Sequence, residues 1–472
     1  MEETAQAVAV KSPSSLPPVL CISELLFLIF KKLSISDCAR VALVCRTWLD
    51  PALDLIWEDL SEPHPLLRLL GPINSSATKW DFDCGFPQAD WARFRSYSQR
   101  VRSISYESQF DQESDSDMEH ISPDLPIKLL YYVAMNQGSY LLPRVQAIRW
   151  VAMEDGELQL LIPFISPTLR EIDIDVSGCG SISQAPSRLL RTLRYILPPD
   201  IRIFTFDSDV DAPLEEDVSA VIRQQGSLQT LNLPACALEP GMFKSGLQVL
   251  EGHCTVDSGL PPKELLGALA EACPHLKDVR LIFTSECNLT FDSISPLLRC
   301  SKLITVDLEY SGRWNLEEVD IKAMGDAWPR VEALNLCCRR GYRGLEPSHG
   351  MSMGMLPLFA RYFSPTLRKL AVFLDSTNVP HPPYEETPFP NLEFFAVGNS
   401  PLNSEMAVSE VTAYLDSVLP ARVDRIRSDR FPMHSDSSFQ QFTPRFNRGT
   451  AWDTVGELLS KRRQESRGGT SK

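Results

Sequence analysis

One short apolar pattern returns along most of this 472-residue chain and restricts its fold more than any other feature. Apolar residues stand at i, i+3 and i+5 in Leu169/Ile172/Ile174, Ile201/Phe204/Phe206, Leu228/Leu231/Leu233 and Leu276/Val279/Leu281. The spacing holds again in Leu303/Val306/Leu308, Val331/Leu334/Leu336, Leu367/Leu370/Val372 and Leu392/Phe395/Val397. Weaker copies are Val101/Ile104/Tyr106, Val145/Ile148/Trp150, Leu247/Leu250 (broken at Gly252) and Val423/Ile426. The first anchors run from Val101 to Val423 in eleven steps, a mean of about 29 residues. In a strand, residues two apart share a face, so i+3 and i+5 point into one core while i enters from the preceding turn. A unit this short cannot bury that face alone and must stack on its neighbours.

Between the strands lie segments with helical spacing: Arg188 to Leu197, Leu214 to Gln224, Lys263 to Cys273, Leu316 to Trp328, Met355 to Phe363 and Glu405 to Leu419. Strand, loop, helix and return at this period resembles the leucine-rich repeat. The resemblance implies an α/β solenoid over residues 98–432, about twelve units, with parallel strands on the concave face and helices on the convex face. The copies are irregular. Where the family places Asn or Cys at i+8, only Cys236 fits, while Ser177, Asp209, Thr255, Thr284, Ser311, Asp375 and Ser400 offer other small polar groups.

Residues 16–60 leave the repeat. Leu25, Leu26, Ile29, Phe30 and Leu33 make a dense apolar helix face, followed by a polar stop at Ser34-Ile35-Ser36-Asp37. A second helical run is expected from Cys38 to Trp48 with Asp37 as its N-cap, and a third from Ala52 to Leu60. Three short helices bury only a small core, so their apolar side chains are expected to be completed by a partner. Ser23-Glu24-Leu25-Leu26-Phe27-Leu28-Ile29-Phe30, Leu33, Val44-Cys45-Arg46-Thr47-Trp48 and Ala52-Leu53-x-x-Ile56-Trp57-x-x-Leu60 together resemble the F-box. One departure is Ser23, where the family has Pro. Asp90-Trp91-x-Arg93-Phe94-x-x-Tyr97 and Val101-Arg102 are similar to the joint between F-box and repeats in large fungal F-box proteins. The chain then reads as an F-box at 16–60, a joint at 61–97, the solenoid, and a C-terminal cap helix with a basic tail at 433–472.

That resemblance implies a non-catalytic substrate receptor of a ubiquitin ligase. The F-box would dock on a Skp-type linker protein, held in turn by a cullin and a RING subunit, while the repeats bind a protein substrate. Carried over by position, the linker-facing residues are Leu25, Leu26, Ile29, Phe30, Leu33, Val44, Cys45 and Trp48. A repeat scaffold acting outside the ligase is the alternative, which Ser23 and the irregular units keep open.

Composition bears on the other classes. With 46 Lys+Arg against 61 Asp+Glu the net charge is −15, against the basic excess of a nucleic-acid binder. Apolar runs such as Leu25 to Phe30 fall far short of the ~18 residues a membrane span needs, and Met1-Glu2-Glu3 lacks the features of a signal peptide. A cytoplasmic or nuclear location is expected. The 12 Cys form no CxxC pair and the seven His are dispersed, so no metal site, cofactor or catalytic constellation is expected.

The strand template also assigns charges to the concave face, at i+2, i+4 and i+6. Over the first nine units these are Glu107, Glu171, Asp173, Asp175, Asp207, Glu251, Asp278, Asp307 and Glu309 against Arg149 and Arg280. A basic substrate segment is therefore expected there, with Asp173, Asp175, Asp207, Asp307 and Glu309 as its contacts. Glu107 to Glu119, with six acids and no bases, reads as a solvated insertion. Residues 421–472 carry a local charge of +5, and Thr450 to Leu459 could form the cap helix with Trp452, Val455 and Leu459 inward.

Overall fold

A computed structural model describes residues 18–71, 73–74, 79–82, 91–108, 120–122, 124–135, 140–179, 184–208, 214–254, 261–283, 289–310, 314, 316–337, 350–381, 389–398, 400, 402, 405–423, 426–427 and 451–468. Two compact units divide between Pro198 and Pro199. The first opens with α1 (Ser23–Phe30), α2 (Ile35–Ala42) and α3 (Arg46–Glu58), which leads directly into β1 (Asp59–Leu60). Then come α4 (His64–Leu67), β2 (Ile73–Asn74), β3 (Lys79–Phe82), α5 (Trp91–Ser98), β4 (Ser103–Glu107) and β5 (His120–Ile121). Finally, α6 (Asp124–Met135), β6 (Ala147–Val151), α7 (Asp155–Leu160), β7 (Glu171–Asp175) and α8 (Ala185–Ile196) complete it.

β1, β4, β6 and β7 form a parallel ladder in that order, with Asp59 opposite Ser103 and Ile104, Ile148 and Ile172 in one row. The 29-residue template holds here in full: Val101, Ile104, Val145, Ile148, Trp150, Leu169, Ile172 and Ile174 are all buried. Short β2 and β3 pair antiparallel and β3 pairs with β5 in parallel, a small sheet outside the template.

The second unit continues the alternation. It contains β8 (Ile203–Asp207), α9 (Glu215–Arg223), β9 (Thr230–Ala237), β10 (Val249–Cys254), α10 (Pro262–Ala272), β11 (Asp278–Phe283), α11 (Phe291–Ile294), β12 (Thr305–Tyr310), α12 (Glu318–Ala327) and β13 (Ala333–Leu336). It ends with β14 (Met351–Ser352), α13 (Leu356–Phe363), β15 (Lys369–Val372), β16 (Leu374–Asp375), β17 (Phe394–Ala396), α14 (Glu405–Val418), β18 (Ile426–Arg427) and α15 (Ala451–Gly468). Its parallel ladder runs β8-β9-β10-β11-β12-β13-β15-β17-β18, and β14 pairs separately with β16. Strand, helix and parallel return, repeated with one apolar face inward, is the leucine-rich-repeat solenoid expected from the sequence. No helix among the described residues is long and apolar enough to cross a membrane.

The irregular units have local physical causes. At the broken copy, β10 passes through Gly252, and a Cβ there would stand 2.6 Å from the Leu238 side chain. Leu238 fills the core space that the missing i+5 side chain leaves, and the register against β9 shifts between Glu251 and His253. The polar turn groups are satisfied in several ways. Ser400 Oγ accepts the Leu374 amide of the neighbouring unit at 2.7 Å. Asp375 takes the Thr377 amide at 2.8 Å, Asp175 the Ser177 amide at 3.0 Å, and Asn335 the Cys337 amide at 2.9 Å. Asp209, Thr255, Thr284 and Ser311, and most of the acidic insertion after Glu107, lie outside the described residues.

Candidate docking site

Six consecutive apolar residues in α1 leave no polar face, so a single helix must meet apolar surroundings on two sides. At 100° per residue, Leu26 and Phe30 fall on one side, and Leu25, Leu28 and Ile29 on the other. The first pair goes inward. Leu26, Phe30, Cys38 and Ala52 form the buried core of the module, with Val41, Trp48, Leu55 and Ile56 packed against it. The Phe30 and Trp48 rings meet edge-on with centroids 5.6 Å apart, and Trp48 Nε1 donates to the Leu20 carbonyl at 3.1 Å. Burial, reinforced by the Asp37 charge, raises the Cys38 thiol above its ordinary value, consistent with a packing role.

Several expectations are corrected here. Leu26 and Phe30 are core residues of the module and not a surface for a linker protein, because a helix of this composition needs its own interior. The N-cap of α2 is Ser34, whose Oγ accepts the Asp37 amide at 3.2 Å; Asp37 sits in the first turn, where its charge favours the helix dipole. The expected second run ends at Ala42. Leu43, Val44 and Cys45 form a break, with Cys45 extended, and Trp48 belongs to α3, which continues through Pro51. Ser23 in place of Pro does not disturb the helix, which starts at Ser23 with Glu24 in its first turn.

The outward residues form the candidate site. Leu25, Ile29, Leu33 and Val44 are exposed as expected, and Cys45 and Trp48 are half-buried. The structure adds Leu28, Ile35, Leu43 and Leu49, with Leu43 87% exposed at the α2–α3 break. Their signal was present in the sequence: an apolar run that covers the whole helix circumference, and apolar residues in a turn, where polar ones normally stand. Eight large apolar side chains within 25 residues of a small module are far more than scattered exposure explains.

A joint fixes this module to the first rung of its unit. Arg100, just past α5, reaches back to α3, pairing with Asp50 at 2.7 Å and with Asp54. Burial opposes its charge, yet Asp50 and Asp54 raise the guanidinium above its ordinary value on balance. The Arg102 amide donates to the Glu58 carbonyl at 2.7 Å, Ser103 bonds Asp59 at 2.5 Å, and the Trp57 and Tyr97 rings lie 4.7 Å apart.

The expected acidic face of the strands is largely engaged within the molecule. In the first unit, Asp173 lies beside Arg149 at 3.8 Å; burial raises its carboxyl, Arg149 lowers it and Asp175 raises it again, with a net upward shift. Asp175 holds the turn at Ser177. In the second unit, Asp207 accepts the Ser208 amide at 2.9 Å. Asp307 and Glu309 are buried, so they are not open contacts for a partner. Arg280 sits among Glu251 at 2.9 Å, Asp307 at 3.4 Å and Glu309 at 3.3 Å, and Asn335 donates to Asp307 at 2.7 Å. Position in the template gives the reason: Glu251, Arg280, Asp307 and Asn335 all stand at i+4, and parallel register makes equal positions neighbours.

Among the described residues no group of His, Cys, Asp and Glu is arranged to hold a metal ion. Comparison with known proteins adds one family: residues 23–62 match the F-box-like model. Residues 23–62 are thus an F-box-like domain, the stretch that carries the exposed apolar side chains. Among solved structures the chain is similar to one from the crystal structure of the Rad7 and Elc1 complex in yeast (14% identity, 79% of this chain and 92% of that one, TM-score 0.38). It is also similar to the leucine-rich repeat-containing protein LegL7 from Legionella pneumophila (14% identity, 59% and 96%, TM-score 0.27). A third is from the TLR13–ssRNA13 complex (13% identity, 70% and 42%, TM-score 0.32). Among curated proteins none matches.

Proposed function

We propose that this chain is the substrate-recognition subunit of a Skp–cullin–F-box ubiquitin ligase. The F-box-like domain docks a Skp-type linker protein, the linker is held by a cullin with its RING subunit, and the repeats carry a protein substrate. The observation that supports this reading is the apolar surface of Leu25, Leu28, Ile29, Leu33, Leu43 and Val44 on a module matching the F-box-like family. Fully burying one such side chain contributes about 1.5–3 kcal/mol, so a partner covering this surface gains most of its affinity from a few of them. The chain itself does no chemistry in this scheme. It raises the local concentration of substrate lysines near a ubiquitin thioester. Asp173 and Asp175 in the first unit are proposed contacts for a basic substrate segment, and Asp207 in the second unit is a separate proposed contact of the same kind.

Co-purification of the full chain with a Skp-type linker tests the docking. The variants are Ile29→Asp and Val44→Asp, whose side chains are outside the module core. Wild type should retain linker, cullin and RING subunit together, and the double variant should lose all three while keeping its melting temperature. Capture of the linker without cullin and RING would favour a repeat scaffold outside the ligase, and no capture would overturn the proposal. Asp173→Lys with Asp175→Lys should weaken substrate retention and leave linker capture intact.

A further inference from the structure

A pocket of about 360 Å³ lies in the first unit, lined by Phe27, Asp54 and Glu58 together with Ser96, Gln99, Arg100, Arg102 and Arg144. That volume is within the range of small-molecule sites. Its charges are unequally used. Arg100 is taken up by Asp50 and Asp54 and by the Ser96 carbonyl at 3.0 Å. The Arg102 guanidinium donates to the Arg144 carbonyl at 3.5 Å, and among the described residues neither the Arg102 nor the Arg144 side chain has an ion pair. The Glu58 carboxylate likewise has none among the described residues, although its backbone carbonyl accepts the Arg102 amide.

Two guanidinium groups that make no ion pair among the described residues line one concavity, and each offers paired N–H donors matched to phosphate oxygens. The Glu58 carboxylate nearby favours a ligand that also brings hydroxyl donors, and Phe27 supplies an aromatic wall for the carbon face of such a ligand. We propose that this pocket binds a small, hydroxyl-bearing phosphate monoester of the size of a phosphorylated hexose. On α1, Phe27 points about 160–200° away from Leu25 and Ile29 by helical geometry, so the pocket and the apolar docking face are on different flanks and can be occupied together. A ligand seated there touches α1, α3, the end of α5 and the segment before β6 at once.

Titration calorimetry on the full chain tests this with three probes: a hexose phosphate, inorganic phosphate and the unphosphorylated hexose. The hexose phosphate should bind most tightly, inorganic phosphate more weakly, and the hexose without measurable heat. Arg102→Ala and Arg144→Ala should each weaken the hexose phosphate roughly tenfold, the loss of one charge-assisted hydrogen-bonding group. Glu58→Gln should weaken the hexose phosphate without weakening inorganic phosphate. Arg202→Ala, an exposed arginine outside the pocket, should change nothing. Arg144 is exposed, so its variant should keep the melting temperature of the free chain. Absence of heat with either phosphate at millimolar concentration overturns the proposal. So does binding that survives the Arg102→Ala, Arg144→Ala double variant, which would mean an adventitious ion only.

Discussion

At Gly252 a consensus reading and the structure predict opposite results. The repeat template asks for a large apolar residue at this i+5 position, and Gly252→Leu would complete the copy. The space is already occupied by Leu238, whose atoms stand 2.6 Å from where the new Cβ would be. We expect Gly252→Leu to destabilise by about 1–3 kcal/mol, the usual cost of overpacking, read as a lower urea midpoint. A second residue-scale prediction concerns the thiols. Burial pushes Cys273 up to about 12 and Cys300 up to about 11 from an ordinary 9.0. A folded-state value above the unfolded one means stability is fully present below pH 9 and is lost as pH rises towards 11–12. Stability curves should fall through that alkaline window, and Cys273→Ser, which retains a donor to the Lys244 carbonyl, should make the fall shallower. Buried carboxylates are the hardest residues to read from sequence. Glu157 looks like a helix-surface acid, yet it is buried and accepts from Tyr106, Ser108 and the Met153 amide at 2.6, 2.9 and 2.7 Å. Its donors come from a strand 51 residues earlier and from its own turn, a coincidence no local pattern contains.

At the scale of elements, the repeating strands and the helices between the later units were legible in local periodicity. The anchors of every strand copy are buried, and the six helical segments expected between strands are present with shifts of a few residues at their ends. Period-two and period-3.6 patterns record which side of an element is apolar, and that is a local property. The strands β1, β2, β3, β5, β14 and β16 and the helices α4, α5, α6, α7 and α11 were missed, β1 because the third helical run was expected to continue to Leu60, and so was the assignment of Leu26 and Phe30 to the interior. In an all-apolar helix the sequence does not say which half faces a partner. The cap helix shows the same division. Trp452, Val455 and Leu459 are inward as expected, but α15 runs on to Gly468 through part of the expected basic tail, and Arg463 there pairs with Asp416 at 3.0 Å and donates to the Leu419 carbonyl at 2.9 Å. Those bonds satisfy carbonyls at the end of α14. Trp452→Ala removes a buried ring and its hydrogen bond to the Ser400 carbonyl, at 2.6 Å. A loss of about 3–5 kcal/mol is expected in the packing of α15, seen as faster hydrogen exchange in α14 and early proteolysis after residue 450.

For the molecule as a whole, the organisation matters more than any single repeat. An F-box-like domain at 23–62 precedes parallel strand-and-helix units that occupy most of the remaining described chain. Arg100 is the side chain that ties the two kinds of architecture within the first unit. Arg100→Ala should cost about 0.5–1 kcal/mol, because Asp50 and Asp54 are exposed enough for water to replace their lost partner. The diagnostic measurement is amide exchange: α3 and α5 should loosen together, whereas α1 and α2 should keep their protection.

The direct passage from α3 into β1 bears on this further. Because β1 lies in register beside β4, the last helix of the domain and the first rung of the sheet are one uninterrupted piece of hydrogen-bonded backbone. Such a connection has no slack, so it transmits torque and does not merely limit distance. If three or four glycines and serines were inserted between Glu58 and Asp59, both halves should fold and the docking face should still find its linker. What would be lost is orientation. In the proposed ligase, a cargo held at a fixed bearing should be modified at a narrow set of lysines, and slack at this point should spread the modification over many more.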